Sequence, residues 1–294
     1  MKILITGGNG QVGWELSRAL LPLGELIITQ RNQADFSKPE SLSELVETIK
    51  PDVIVNATAY TAVDKAETET ELAQLINGDA VAVLAQSAKK VGALLVHYST
   101  DYVFDGSKQG VYYENDTTNP LSSYGRSKLA GELAIQASGV DSLILRTTWV
   151  YAARGSNFVK TILRLAAERE ELNIVADQFG APTWAKLIAQ TTAHIIKQSQ
   201  QERKQGAFNS DIYNLTSTGE TSWHGFAQAI IDTARSNNVE LKNKLLNPIP
   251  TTAYPLPAQR PLNSRLSVTK LENKFDLVMP NWQTCLKLCM AEML

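Results

Sequence analysis

The chain has 294 residues, of which 44% are hydrophobic and 20% charged, and its net charge is -2. That is ordinary globular composition, ample for the core of one large domain or two intimate ones. The near-neutral charge argues against a nucleic-acid or polyanion partner, and no apolar run is long enough to span a membrane.

Lys2–Thr6 reads as a short apolar strand that runs straight into Gly7-Gly-Asn-Gly10-Gln11-Val12-Gly13, and Trp14–Leu21 reads as a helix. The run is too short, and lacks the cleavage signal, for a secretory peptide. A glycine pattern between strand and helix opens a βαβ unit and predicts a pyrophosphate site. Glycine lets the backbone approach a ligand, and the helix N-terminus offers free N–H groups and partial positive charge. Glu25–Thr29 is a second strand. An acid at its end would favour NAD, but Gln30 and Arg31 stand there. The cation suits a 2′-phosphate, which favours NADPH and leaves NADH open. Asp35 and Phe36 are placed to flank an adenine. Ser37-Lys-Pro-Glu40 resembles a capping box before a helix that runs to about Lys50.

Asp52–Asn56 is a third strand with the apolar centre of a buried parallel strand. In an open parallel sheet the C-terminal strand ends face the ligand crevice, so Ala59, Tyr60 and Thr61 are cofactor candidates. A long helix covers Glu69–Val91, and Ala93–Tyr98 is the fourth strand. Ser99-Thr100-Asp101-Tyr102 ends that strand at the same crevice, with Tyr98 a further cofactor candidate. After a polar loop, Pro120 precedes a helix carrying Tyr124 and Lys128. Their spacing of four puts both on one helix face. A lysine beside a tyrosine favours the phenolate, so the expectation is a lowered tyrosine pKa and general-acid work. Ser142–Arg146 is a fifth strand, and Trp149 follows it at the ligand edge, where it either stacks on a sugar or base or fills a core.

Beyond Tyr151 come a helix over 157–169, a strand over 172–176, a loop over 178–183 and a helix over 185–198. The charged, glutamine-rich stretch 197–205 reads as a solvated loop or helix end. A strand over 212–215 and a helix over 222–235, with Ser222 as cap, follow. Five prolines within 247–261 mark an ordered loop of extended pieces, and two helices end the chain. Arg260 and Arg265 come together in Arg260-Pro-Leu-Asn-Ser-Arg265-Leu, as a clamp for a diphosphate. Cys285 and Cys289 read as reduced packing residues of a cytoplasmic protein, and the three histidines have no zinc-ligand spacing.

The pattern predicts an α/β fold, a doubly wound parallel sheet of Rossmann type. Residues 1–150 form the dinucleotide-binding part, with 170–176 and 208–236 completing it, and 151–294 form mainly a smaller, discontinuous α/β substrate region. Several runs together resemble the dTDP-4-dehydrorhamnose reductase family of extended short-chain dehydrogenase/reductases, over nearly the whole chain. They are Gly7–Leu16, Asp52–Ala57, Thr61–Glu67, His97-Tyr-Ser-Thr-Asp-Tyr-Val-Phe104, Tyr124–Glu132, Arg146–Tyr151 and Arg260–Leu266.

That resemblance implies reduction of the C4 ketone of a dTDP-linked 4-dehydro sugar, with Thr100, Tyr124 and Lys128 as catalytic triad. It implies cofactor contacts at Gly10, Gln11, Val12, Asp35, Phe36, Ala59, Tyr60 and Thr61, which Gly7, Gly13, Gln30, Arg31 and Tyr98 join by position. Substrate contacts fall on Thr100, Asp101 and Trp149, with Tyr102, Arg260 and Arg265 beside them. Some members form homodimers through a metal bridged by acids. Glu15 and Glu292 match that pattern, but Lys186 replaces a third carboxylate, which argues against a bridging Mg2+. The rival readings are a nucleotide-sugar epimerase or dehydratase of the same fold, and a cofactor-binding regulatory subunit.

Overall fold

The computed structural model describes residues 1–293. Its centre is a six-stranded parallel sheet. Five strands are β1 (Lys2–Thr6), β2 (Glu25–Ile28), β3 (Val53–Asn56), β4 (Leu94–Thr100) and β5 (Ser142–Thr147). The sixth is the strand Asp211–Asn214, and the spatial order is Asp211–Asn214, β5, β4, β3, β1, β2. Side chains alternate across each strand, and apolar residues on both faces give two cores. Ile3, Ile5, Val53, Val55 and Val96 face one way, with α1 (Gln11–Ala19) and the helix Ala185–Lys204. Leu4, Ile54 and Leu95 face the other, with α2 (Glu40–Ile49), α4 (Ala80–Val91) and α5 (Ser123–Ser138).

A third core lies in the later part of the chain, among Tyr151, Val159, Ile162, Phe226, Trp282, Cys285, Cys289 and Met290. The two halves are interlaced. The helix Ala185–Lys204 comes from beyond residue 150, yet Ile188, Ile195 and Ile196 pack on the first face of the main sheet. The segment expected at 170–176 does not join that sheet. Glu171–Val175 pairs in parallel with Leu245–Ile249, Pro248 included, because that proline-containing run offers it an open edge within the third core.

Other local expectations also shift. Ser37 does not cap α2, because its N–H and hydroxyl both go to Asp35 Oδ1, at 3.0 and 2.7 Å. The glutamine-rich stretch continues its helix to Lys204, since Gln, Glu, Arg and Lys are all good helix formers. The long helix over 70–91 contains a π-helical turn at Leu75–Asp79, between α3 (Thr70–Gln74) and α4. Such turns recur at functional sites, and this one turns Asn77 inward.

Candidate active site

Strand β4 stops at Thr100, and the chain enters a short 3-10 turn, Asp101–Val103. The Thr100 hydroxyl shapes that turn, accepting from the Tyr102 N–H at 3.2 Å and donating to the Asp101 carboxylate at 3.0 Å. Helix α5 starts against it. Ser122 caps the helix by accepting from the Gly125 N–H at 3.1 Å. Gly125 lies so close to the turn that a Cβ there would stand 2.2 Å from the Tyr102 carbonyl oxygen. That approach sets the Tyr124 ring edge-on to Tyr102, with centroids 5.5 Å apart.

Burial pushes the Tyr124 phenol above its ordinary range, the Thr100 hydroxyl draws it back, and the Asp101 charge adds to the rise. Burial also pushes the Asp101 carboxyl up to about 6. The direction at Tyr124 is opposite to the lowered value expected from Lys128: burial dominates, and the lysine is turned to other partners. Lys128 is 2% exposed. Its Nζ donates to the Tyr98 carbonyl at 2.7 Å and lies 3.1 Å from His97 Nε2. The amine is engaged with β4 rather than with the phenol, and burial lowers its pKa to about 8.

The glycine turn lies at the same end of the sheet. Gly7 has a φ of +73°, and a Cβ there would meet the Ala57 carbonyl at 2.7 Å. At Gly13 a Cβ would stand 2.1 Å from the Gly7 carbonyl. Gly10 caps α1 with no side-chain hydrogen bond, so the first-turn N–H groups of Gln11, Val12 and Gly13 are left for an anion. This cradle of backbone fits a dinucleotide pyrophosphate.

Beyond β2, Arg31 is exposed and reaches only to 3.9 Å from Asp35, and the Gln30 N–H goes to Gln33. Asp35 is occupied by Ser37. Phe36 is 2% exposed in the second core, so its ring is not open to an adenine, contrary to expectation. In the loop after β3, which holds Ala59, Tyr60 and Thr61, Asn77 clamps the Tyr60 backbone. Its Oδ1 accepts from the Tyr60 N–H at 2.8 Å, and its Nδ2 donates to the Tyr60 carbonyl at 3.1 Å and to Ser127 Oγ at 3.0 Å. The Tyr98 side chain points away, its hydroxyl 2.7 Å from Thr192 Oγ1, so its carbonyl alone reaches the site.

Trp149 follows β5 with a φ of +46°, a strained value for a residue with a Cβ. Its indole stacks on Trp223, centroids 3.6 Å apart. Arg260 donates to Asp64 at 2.7 Å and to the Tyr102 hydroxyl at 3.4 Å, and its Nε is buried without a partner. Arg265 goes elsewhere, to Glu220 at 2.9 Å and to its neighbour Asn263 at 2.8 Å. The two arginines therefore do not form one clamp. Only Arg260 is tied to the turn after Thr100.

Residues 1–294 match the family described as RmlD substrate binding domain. A dTDP-4-dehydrorhamnose reductase from Burkholderia thailandensis is 55% identical, covering 100% of this chain and 99% of its own. The chain belongs to the dTDP-4-dehydrorhamnose reductase family. Solved structures agree. The dTDP-4-dehydrorhamnose reductase from Clostridium acetobutylicum has a TM-score of 0.90 at 35% identity, covering 100% of this chain and 99% of that one. The one from Bacillus anthracis, in complex with NADP, has a TM-score of 0.89 at 34% identity, covering 99% of each.

Within this family, the acids considered for a bridging metal form a different device here. Lys186 Nζ lies 2.5 Å from Glu292 Oε1, and burial and Glu292 together raise the pKa of Glu15. An ammonium already offsets the two carboxylates. The residues do not fit a bridging Mg2+.

Several supporting residues of this candidate site have no role assigned from the sequence: Asn56, Asp64, His97 and Ser127 lie inside the runs that carry the resemblance, and Asn77 and Trp223 lie outside them. Asn77, Ser127, Asp64, Trp223, Asn56 and His97 all hold or face the candidate residues. The sequence signals are slight: a histidine inside an apolar strand, and an asparagine where a strand ends.

Proposed function

We propose that this protein reduces the C4 ketone of dTDP-4-dehydro-β-L-rhamnose to dTDP-β-L-rhamnose at the expense of NADPH. The observation that supports this most is the gathering of Thr100, Tyr124 and Lys128 at the crevice end of the sheet, beside the glycine turn, in a chain of this family. Bound NADPH supplies the hydride for C4. Gly7, Gly10, Gln11, Val12 and Gly13 would hold its pyrophosphate, and Arg31 its 2′-phosphate. Ala59, Tyr60 and Thr61 would line its path. Lys128 would hold the nicotinamide ribose.

Tyr124 gives the proton that the ketone oxygen takes up. Its raised pKa keeps that proton in place through the neutral range, and the developing alkoxide is basic enough to accept it. The Thr100 hydroxyl, turned from Asp101 to the same oxygen, offsets its negative charge. Trp149 packs on the sugar ring, and Arg260 meets the diphosphate. The reading includes a homodimer, which light scattering checks. It also places the protein in the cytoplasm, a reducing compartment that suits two free, buried cysteines.

The test is Tyr124→Phe. The variant folds and binds NADPH, and its turnover falls by roughly 10²–10⁴-fold, the usual worth of a general acid. Turnover is read as loss of reduced-nicotinamide absorbance with enzymatically prepared substrate. Near-normal turnover counts against the assignment. An epimerase or dehydratase would return its cofactor, so stoichiometric NADPH consumption separates those reactions from this one.

A further inference from the structure

A buried polar chain runs behind the catalytic helix. Asn56 ends β3, His97 lies in β4, and Lys128 reaches in from α5; they are 1%, 0% and 2% exposed. Asn56 Oδ1 accepts from the Thr58 backbone N–H at 3.1 Å and from the Thr6 hydroxyl at 2.7 Å. A backbone N–H can only donate, so this contact fixes which way the Asn56 amide points. Its Nδ2 then donates to His97 Nδ1, 3.0 Å away. A neutral imidazole whose Nδ1 accepts carries its proton on Nε2. That Nε2–H faces Lys128 Nζ at 3.1 Å. An ammonium has three donors and no acceptor, so at this contact two donors would meet. The contact becomes a hydrogen bond when Lys128 is the neutral amine, which accepts from Nε2–H and still donates to the Tyr98 carbonyl.

We propose that His97 is a positioning residue for Lys128: locked in its Nε2–H form by Asn56, it offers the lysine a donor where an ammonium needs an acceptor, and so makes the lysine give up its proton easily. The other arrangement, an ammonium facing a bare Nε2, needs the Asn56 amide to flip. The Thr58 N–H would then face an NH2 group in a buried place, which is costly. One charged group near Lys128 acts against this. Glu132, one turn along α5, favours the ammonium, but its carboxylate is paired with Arg146 of β5 at 2.6 Å. The π-turn contributes the neutral Asn77 and β3 the neutral Asn56. Burial acts in the same direction as the histidine, lowering Lys128 to about 8 and holding His97 uncharged.

The consequence for the reaction rests on the reductase reading. If the ammonium of Lys128 supports proton release from Tyr124, activity falls on the alkaline side as the lysine titrates, and His97 sets where. Two measurements separate the proposal from that reading. The first uses the free protein labelled with 15N-histidine and 15N-lysine. It expects ring-nitrogen signals of a neutral Nε2–H imidazole at His97 and follows the Lys128 titration without substrate. The second is the pH profile of kcat and of kcat/KM.

In His97→Gln the amide can turn its oxygen to the ammonium. In Asn56→Asp a carboxylate accepts from Nδ1–H and reverses the tautomer, while the contacts to Thr58 and Thr6 remain. Both variants move the Lys128 titration upward by about one pH unit or more. An Nδ1–H or doubly protonated His97 in the native protein overturns the proposal. So does a Lys128 titration that neither variant moves. A titration that moves while the activity profile stays fixed leaves the histidine's role standing and refutes the use of Lys128 in the reaction.

Discussion

Asp101→Asn is expected to make the protein more stable at neutral pH, and the gain is expected to shrink in acid. The Asp101 carboxyl is 3% exposed. One oxygen accepts from Thr100 Oγ1 at 3.0 Å, and the other is buried without a partner. Burial raises its pKa from 3.8 to about 6. The folded state thus binds its proton more tightly than the unfolded chain does. Stability from this group is fully present below the unfolded pKa and is lost as pH rises through the folded one. A shift of about two units at ~1.4 kcal/mol each makes the loss about 3 kcal/mol at pH 7 and roughly half that at pH 5. Asparagine keeps the oxygen that Thr100 uses and carries no charge to bury. Its amide N–H would replace the unpartnered oxygen, near the Thr148 and Ser264 hydroxyls. Urea unfolding of both proteins at pH 5 and pH 7.5, with unchanged m-values, measures the difference. A stability gap that does not widen between the two pH values refutes the claim that this carboxylate is held against its desolvation. The same change removes a charge that raises the Tyr124 phenol, so the stabilised variant should have a lower Tyr124 pKa.

Three further changes test other parts. Glu132 and Arg146 form a two-point pair at 2.9 and 2.6 Å, with side chains 1% and 3% exposed. Glu132→Gln leaves the arginine charge buried without its partner, and thermal unfolding should show a loss of about 3–5 kcal/mol. Gly13→Ala places a Cβ 2.1 Å from the Gly7 carbonyl and must deform the turn. Fluorescence titration should show NADPH binding weakened at least tenfold, about 1.4 kcal/mol, with the sheet intact by circular dichroism. Arg31→Ala should raise the KM for NADPH about tenfold and leave that for NADH unchanged, because the exposed guanidinium serves the 2′-phosphate alone.

The parts of this protein legible in its sequence are those encoded by neighbouring residues. Strands β1, β3 and β4 are apolar runs, and a buried parallel strand has no other way to read. The glycine turn carries its own geometry, since Gly7 and Gly13 mark places where a Cβ would strike backbone. The crevice follows from the topology, and with it the neighbourhood of Thr100, Tyr60 and Trp149. What stayed hidden depends on distant partners. The Ser37 capping box is locally plausible, but Asp35 competes for the same serine. The edge on which Glu171–Val175 lies depends on a strand more than seventy residues later. The spacing of Tyr124 and Lys128 is correctly one helix face, yet it does not say which partner the lysine takes. Tyr98 and His97, thirty and thirty-one residues away, take it instead.

The helix that carries the proposed chemistry shows why. Helix α5 buries Ser123, Gly125, Ser127, Lys128, Gly131, Glu132 and Ser138 beside the apolar Ile135, and has almost no apolar stripe. Hydrophobic periodicity finds helices that are held by apolar packing, and this one is held mainly by other means. Glu67 takes the Ser123 N–H and hydroxyl, Asn77 takes Ser127, the Tyr98 carbonyl takes Lys128, and Arg146 takes Glu132. Gly125 and Gly131 let the helix come within contact of the Tyr102 and Asn77 carbonyls. Apolar packing is non-directional and would tolerate a helix that slides or rolls. Each of these polar contacts has a fixed length and angle, and each is costly to leave unmade in a buried place. Together they allow one position of the helix, which is what a proton donor needs when it must meet a reacting oxygen at hydrogen-bond distance.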